Sequence, residues 1–360
     1  MTKKIVLSKF RDLFCTRNFF LSFRQKQKFL SWCKQKKMIG SSETTRKAPL
    51  KPPCCFNFSK YWSIMPRHKK KNKTYISFLT WFIGFVEGDG CFAVRKPCLP
   101  NNPKHRLIFE VGQKDPKVLY YIKEKLGFGR VVSYTESKTG NKYWKFFIGD
   151  KKNILKIISI FYGNLVLPTR RVQFNKWLSI ANKINCLPKG ISLARGVGRK
   201  AKKEQFITQG VKVSLDNGWL AGFIDAEGCF YANITNTHYI HLRQKMHITQ
   251  KSLFSDDIVL KEIGELFGST CKPRQVYASK KEKISNSPSQ NYRIELSCLV
   301  SHTNIVRYLT KYPLKTAKHR AFLKWANIVQ ARSNNEHLDP KRYANLLKNC
   351  QIINKFNNTP

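Results

Sequence analysis

In 360 residues the chain carries 67 Lys and Arg against 21 Asp and Glu, a formal net charge of +46. Self-repulsion of that size opposes compaction and calls for a polyanionic partner. Nucleic acid fits better than an acidic membrane, since no apolar run approaches the ~18 residues that span a bilayer. Eleven Cys are scattered, only Cys54 and Cys55 are adjacent, and no Cys-x-x-Cys occurs. That argues against disulfide and zinc frameworks and for a reducing compartment.

Residues 1–73 hold two acids, Asp12 and Glu43, among many Lys and Arg, with Pro52, Pro53, Pro66 and a basic run from His68 to Lys73. The composition predicts a disordered basic leader. A transit peptide, or an extension upstream of a start at Met65, is the alternative. An apolar helix then ends at Asp89. A strand over Cys91–Lys96, a loop over Pro97–Lys104 and a strand over Arg106–Gln113 follow. The second strand puts Leu107, Phe109 and Val111 on one face and Arg106, Ile108 and Glu110 on the other. Asp115 and Pro116 open a helix that ends near Gly127. Strands at 130–135 and 143–148 make a hairpin around Lys138–Asn141. Asp150 caps a helix to about Tyr162, and a longer helix runs from Thr169 to Ile184.

Residues 185–214 read as a linker, with Pro188, Gly190, Gly196, Gly198, Gly210 and a basic cluster from Arg199 to Lys203. The same order then returns. Strands are expected at 229–235 and 239–250, a helix at 254–267, and strands at 270–278 and 291–297. Ser301 is expected to cap a helix to Tyr312, and another runs from Thr316 to about Arg332. Asp339 and Pro340 open a short helix in a tail, 336–360. The two repeats are thus 74–184 and 215–335, each αββαββα, in a mixed α/β (α+β) chain.

The repeat is clearest where each half begins. Residues 81–92 read Trp-Phe-Ile-Gly-Phe-Val-Glu-Gly-Asp-Gly-Cys-Phe, and 219–230 read Trp-Leu-Ala-Gly-Phe-Ile-Asp-Ala-Glu-Gly-Cys-Phe, identical at six of twelve positions. A helix apolar all round is buried on all sides. Gly84 and Gly88, like Gly222 and Ala226, stand one turn apart and clear a stripe where another backbone can approach. Each copy is expected to be the other's partner. Asp89 and Glu227 precede Gly90 and Gly228, glycines that suit a helix stop. If the helices pack in parallel, two carboxylates converge on two negative helix ends, which a cation between them relieves. Carboxylate and carbonyl oxygens are hard ligands that favour Mg²⁺ or Ca²⁺ over softer metals. Further marks agree: Gln113-Lys114 answers Gln250-Lys251, and Phe174, Lys176 and Trp177 answer Phe322, Lys324 and Trp325.

Phe82–Gly90 and Leu220–Gly228 resemble the LAGLIDADG motif, and over residues 74–335 the chain is similar to monomeric, double-motif LAGLIDADG homing endonucleases. The resemblance implies an antiparallel β-saddle on DNA, with the two motif helices at the interface. It implies that Asp89 and Glu227, at the eighth motif position, hold Mg²⁺ (or Mn²⁺) with the neighbouring Gly88 and Ala226. Glu87 and Asp225, at the sixth, are structural. Phe82 and Ile83 depart from the motif's Leu and Ala, which touches packing more than chemistry. Gln113 and Gln250 match the family's glutamine. A basic residue completes each centre: Lys315 or Lys318 in the second half, Arg170 or Arg171 in the first, where Pro168 stands in place of Thr316.

A two-stranded ribbon fits the major groove. The saddle's candidate contacts are Arg95, Arg106, Arg130, Lys142 and Lys145 in the first half. In the second they are Asn233, Arg243, Lys245, Lys272, Arg274 and Arg293. Most such bonds go to phosphates, not bases. His241 and His247 read as strand residues, not zinc ligands. The expected reaction is metal-dependent double-strand cleavage of a long pseudo-palindromic DNA site by a monomer. An RNA-binding maturase that assists its host intron without cutting is the alternative, and a non-catalytic DNA-binding regulator a third. Abundant Lys, Asn, Ile and Phe fits an AT-rich organelle genome, mitochondrion or plastid.

Overall fold

Asn72 accepts the Thr74 N–H at 2.9 Å and so starts a 17-residue helix that the apolar run carries to Asp89. The computed structural model describes residues 55–65, 72–95, 106–136, 140–188, 210–277 and 290–358. In chain order, the first half holds α1 (Ser59–Ile64), α2 (Lys73–Asp89), β1 (Gly90–Arg95), β2 (Arg106–Gln113), α3 (Lys117–Leu126), β3 (Arg130–Thr135), β4 (Lys142–Ile148), α4 (Lys151–Phe161) and α5 (Pro168–Lys183). The second holds α6 (Trp219–Glu227), β5 (Gly228–Asn236), β6 (Ile240–Lys251), α7 (Asp256–Leu266), β7 (Arg274–Gln275), β8 (Asn291–Leu296), α8 (Leu299–Lys311), α9 (Lys318–Ser333) and α10 (Pro340–Asn358). The strands form two antiparallel sheets of matching order, β1-β2-β4-β3 and β5-β6-β8-β7.

Each sheet buries one face under its helices, as strand alternation requires. Leu107, Phe109, Val111, Phe146 and Ile148 line that face in the first sheet, and Phe230, Ala232, Ile234, Met246 and Ile248 in the second. One continuous core joins the halves, with α2 and α6 at its centre. Their approach is closer than any side chain allows. A Cβ placed on Gly84 would lie 1.9 Å from the Trp219 carbonyl, and one on Gly222 would lie 1.9 Å from the Trp81 carbonyl. The contact is reciprocal, as a pseudo-twofold axis demands.

Several expectations are corrected. Gly90 and Gly228 do stop their helices as expected, and they do so in extended conformation (φ −83° and −78°). Each is needed because a Cβ would strike the carbonyl four residues back at 2.7 Å. The leader is not outside the fold throughout: Phe58, Tyr61 and Met65 are buried, and Asn57 exchanges backbone hydrogen bonds with the Asn164 side chain at 2.8 and 2.9 Å. Residues 1–54 and 66–71, including most of the basic run, lie outside the described residues, as do the loop 97–104, 137–139 of the hairpin and 189–209 of the linker. The linker's end is core, since Val211 and Val213 are buried.

The strand expected at 270–278 shortens to Arg274–Gln275. Ser301 is not a cap. The helix begins at Leu299, and Ser301 is buried in its first turn against Cys298. The tail helix is not short: α10 runs 19 residues, buries Leu346, Cys350 and Ile353, and reaches β5 through Asn354 Nδ2 to the Ala232 carbonyl at 2.8 Å. Asp115 accepts the Lys117 N–H at 3.0 Å, but the helix starts one residue later than expected, with Pro116 and not Asp115 at its N-cap position.

Candidate functional site

Parallel packing brings both helix C-termini, and both acids, to one place. A Cβ on Gly88 would meet the Ala226 Cβ at 2.3 Å, Glu227 Cγ at 3.1 Å and Glu227 Oε1 at 3.4 Å, so the Glu227 carboxylate lies against the opposite helix. Burial and the charge of Asp89 push Glu227 up to about 7. Burial also raises Asp89, against the pull of Lys318, Gln113 and Arg170. Gln113 Nε2 donates to Asp89 Oδ2 at 2.7 Å. The second half differs here: Gln250 is buried, its Nε2 reaches only the Lys251 carbonyl at 3.5 Å, and its Oε1 has no hydrogen-bond partner. Gln113 therefore joins its acid and Gln250 does not.

Of the four basic candidates, Arg170 and Lys318 are the two whose side chains reach the motif helices. Arg170 Nε donates to the Glu87 carbonyl at 2.6 Å, Nη1 to the Gly90 carbonyl at 3.0 Å, and Nη2 to the Gly88 carbonyl. Lys318 Nζ donates to the Ala226 carbonyl at 2.7 Å and reaches the Ile224 carbonyl at 3.5 Å. Both cations thus sit on the negative ends of the two motif helices. Arg171 turns away to the Val166 carbonyl at 2.8 Å, and Lys315 is exposed, giving only its backbone N–H to Asp225 at 2.7 Å. Burial lowers Lys318, while Asp89, Asp225 and Glu227 hold it up.

Glu87 and Asp225 are buried and act as clasps. Glu87 accepts the Val166 and Leu167 N–H groups at 2.9 and 2.7 Å and the indole N–H of Trp219 in the other half. Asp225 accepts the Lys315 and Thr316 N–H groups, the Thr316 hydroxyl at 2.6 Å and the indole N–H of Trp81 at 2.8 Å. Each half thereby holds the other's tryptophan. The sequence marked both indoles as repeated but gave no sign of the exchange.

Around this centre the sheets carry their cations on the open face. Alternation puts Arg95, Arg106, Arg130 and Lys145 on that face of the first sheet, with register pairs Arg95↔Arg106 and Arg130↔Phe147. Lys145 pairs with Glu110 at 3.4 Å. In the second sheet Asn233, Arg243, Lys245, Arg293 and Arg274 share the open face through Asn233↔Arg243 and Arg274↔Arg293. Glu295 gathers Arg274, Lys245 and Arg293 at 3.0, 3.3 and 3.8 Å. Lys272 is exposed just ahead of β7. Lys142 is the exception. It has the parity of Trp144 and Phe146 and lies 5.0 Å over the Trp144 ring, so it is on the helix side.

Residues the candidate set missed occupy the same open face: the stacked pair Tyr134 and Tyr143, and His247 opposite Glu295. Burial and the cations Arg293 and Lys245 push His247 down to about 4, which keeps it neutral. Parity alone could have found all three.

A sequence profile described as "LAGLIDADG endonuclease" matches residues 82–181 and 220–329. "Probable intron-encoded endonuclease 4" of Neurospora crassa is 32% identical over 284 residues, covering 77% of this chain and 44% of the relative. "Probable intron-encoded endonuclease Cox1-I1b" of Schizosaccharomyces pombe is 27% identical, covering 92% of this chain and 80% of the relative. The chain thus spans less than half of the first relative and most of the second. Among solved structures, that of the homing endonuclease I-GzeII with its DNA target superposes with a TM-score of 0.56 at 20% identity, over 76% of this chain and 97% of that one.

Proposed function

Since the chain belongs to the LAGLIDADG endonuclease family, we propose that it cuts both strands of a long, imperfectly symmetric DNA site by metal-dependent phosphodiester hydrolysis. The carrying observation is that Asp89 and Glu227 meet at the ends of two glycine-packed helices, between two sheets whose open faces are basic. The donor set fits a hard divalent cation such as Mg²⁺ or Mn²⁺. Burial and the neighbouring Asp89 charge raise Glu227 to about 7, and the carbonyls of Gly88 and Ala226, which accept from Arg170 and Lys318, lie at the same two helix ends. Asp89, Glu227 and those carbonyls would hold the ion. When bound, it lowers the pKa of an attacking water and neutralises the phosphate.

The chain's own residues do the rest. Gln113 holds the Asp89 carboxylate in place. Arg170 and Lys318, already at the helix ends, supply positive charge beside each scissile phosphate. One acid and one cation from each half suit one strand each. Arg95, Arg106, Arg130, Lys145, Asn233, Arg243, Lys245, Lys272, Arg274 and Arg293 bind phosphates and base edges along the flanking duplex.

The test incubates the protein and Mg²⁺ with DNA joining the exons that flank its gene. Wild type should leave a double-strand break, while Asp89→Asn and Glu227→Gln should bind the site without cutting it. Undiminished cleavage by either variant refutes the metal role. Affinity should fall steeply with salt in a log–log plot, and a flat plot removes the phosphate-driven interface. Intact DNA together with faster splicing of the host intron RNA would favour the maturase alternative.

A further inference from the structure

The two halves prepare their cations differently. In the second half Thr316 stands two residues before Lys318, and its hydroxyl accepts the Lys318 N–H at 3.2 Å while donating to Asp225. The cap is local. In the first half that position is Pro168, which has neither hydroxyl nor N–H. An acceptor for the same turn comes from the other half, on the N–H one residue earlier than the one Thr316 takes. Asp256, in the first turn of α7 and fully buried, accepts the Thr169 N–H at 2.9 Å through Oδ1. The Thr169 hydroxyl in turn accepts the Leu253 N–H at 3.3 Å. Asp256 Oδ2 has no hydrogen-bond partner and lies within the fields of Arg170 and Arg171.

A buried carboxylate with an unmatched oxygen is costly, so the site retains it for what it holds. What it holds is the helix turn that carries Arg170. We propose that Asp256 of the second half is the positioning residue for Arg170 in the first-half centre, substituting across the interface for the cap that Pro168 cannot provide. The proposal rests on the nuclease reading above. It makes one strand's cut depend on an acceptor from the opposite half, whereas the acceptor at Lys318 comes from its own half.

The experiment follows each strand of an end-labelled target separately with wild type, Asp256→Ala, Arg170→Ala and the double variant, under Mg²⁺. Asp256→Ala should slow one strand at least about tenfold and the other less than twofold, so that nicked DNA accumulates. In the Arg170→Ala background it should add little, because the two act as a unit. Pro168→Thr, which restores the second-half cap, should return the Asp256→Ala variant to within about threefold of wild type on both strands. DNA affinity and melting temperature report folding, and Asp256→Ser replaces Asp256→Ala if the latter does not fold. Equal slowing of both strands, multiplicative effects with Arg170→Ala, or no rescue by Pro168→Thr overturns the proposal while the nuclease reading stands. Failure of the wild type to cut removes both.

Discussion

Gly84→Ala places one methyl group where the two halves come closest. Its Cβ would lie 1.9 Å from the Trp219 carbonyl oxygen, 2.9 Å from that carbonyl carbon and 2.9 Å from the Phe223 nitrogen. All three are backbone atoms in the neighbouring helix, so no side-chain rotation relieves the overlap. The shortest contact falls about 1.5 Å inside the closest ordinary one, so α2 and α6 must separate or slide by a comparable distance. Overpacking of a close-packed core costs roughly 1–3 kcal/mol even where side chains can adapt, and here they cannot. We therefore expect a loss of about 3 kcal/mol. The same displacement moves Asp89 relative to Glu227. A misplacement of about 1 Å can cost on the order of 10²-fold in rate, so cleavage should fall by at least that factor. Thermal unfolding and single-turnover cleavage measure the two effects. Gly112→Ala is the stability control, since nothing lies within 4 Å of its added Cβ. A Gly84→Ala protein as stable as the control and fully active would show that the helices do not touch as described.

Other tests probe different contacts. Gly88→Ala should be poorly tolerated alone but partly restored by Ala226→Gly, because the added methyl meets the Ala226 Cβ at 2.3 Å; strictly additive losses would contradict that contact. Trp219→Phe should destabilise more than Trp81→Phe, by about 1 kcal/mol in equilibrium unfolding. Glu87 would keep two N–H donors, whereas Asp225 would keep two N–H groups and a hydroxyl; equal losses would refute the ranking. A protein begun at Met65 loses Phe58 and Tyr61 from the core and should melt about 10 °C lower or more, an unchanged Tm being the contrary result. Burial pushes His302 down to about 4 from 6.5, so below pH 6.5 the unfolded chain takes up a proton that the folded chain refuses. Stability from this group is full above 6.5 and is lost towards pH 4, roughly 3 kcal/mol in all. His302→Gln should flatten the fall in Tm between pH 7 and 5; parallel curves for the two proteins would remove the assignment.

What could be read from the sequence was local or repeated. The glycine stripe and the acids at the helix ends recur 138 residues apart and the paired glutamines 137 apart, so duplication exposed them without any knowledge of packing. The alternation that fixes the saddle face was equally legible. It also places Lys142 with Trp144 and Phe146, against its inclusion among the saddle cations. The segment around Phe56, Phe58, Tyr61 and Trp62 was obscured by the charge around it, though four aromatics in seven residues are a core signal. The tail's apolar residues Leu346, Cys350 and Ile353 follow a helical spacing that reveals a buried face once the helix is extended past one turn. Other features depend on distance in space alone. Nothing near Glu87 in sequence announces Trp219, and nothing near Thr169 announces Asp256.

Those long-range pairs explain how a duplicated chain becomes one molecule. A carboxylate that binds the start of a later helix in its own half could have been satisfied there, yet Glu87 and Asp225 each complete their shell with an indole from the opposite repeat. A buried acid left short of a donor is expensive, so separating the halves would expose apolar helix faces and deprive both acids of a donor at once. The apolar contact supplies most of the adhesion, while the swapped indoles fix which turn of one helix meets which turn of the other. A slip of a single turn would carry Gly84 off the Trp219 carbonyl and Glu87 off its donor together. Register along the helix pair is therefore set twice, by shape and by charge, and both settings deliver Asp89 and Glu227 to the same level. At Pro168 the divergence between the repeats is matched, in our proposal, by Asp256 of the opposite half. The asymmetry of the two centres is thus a product of the same interface that holds them together.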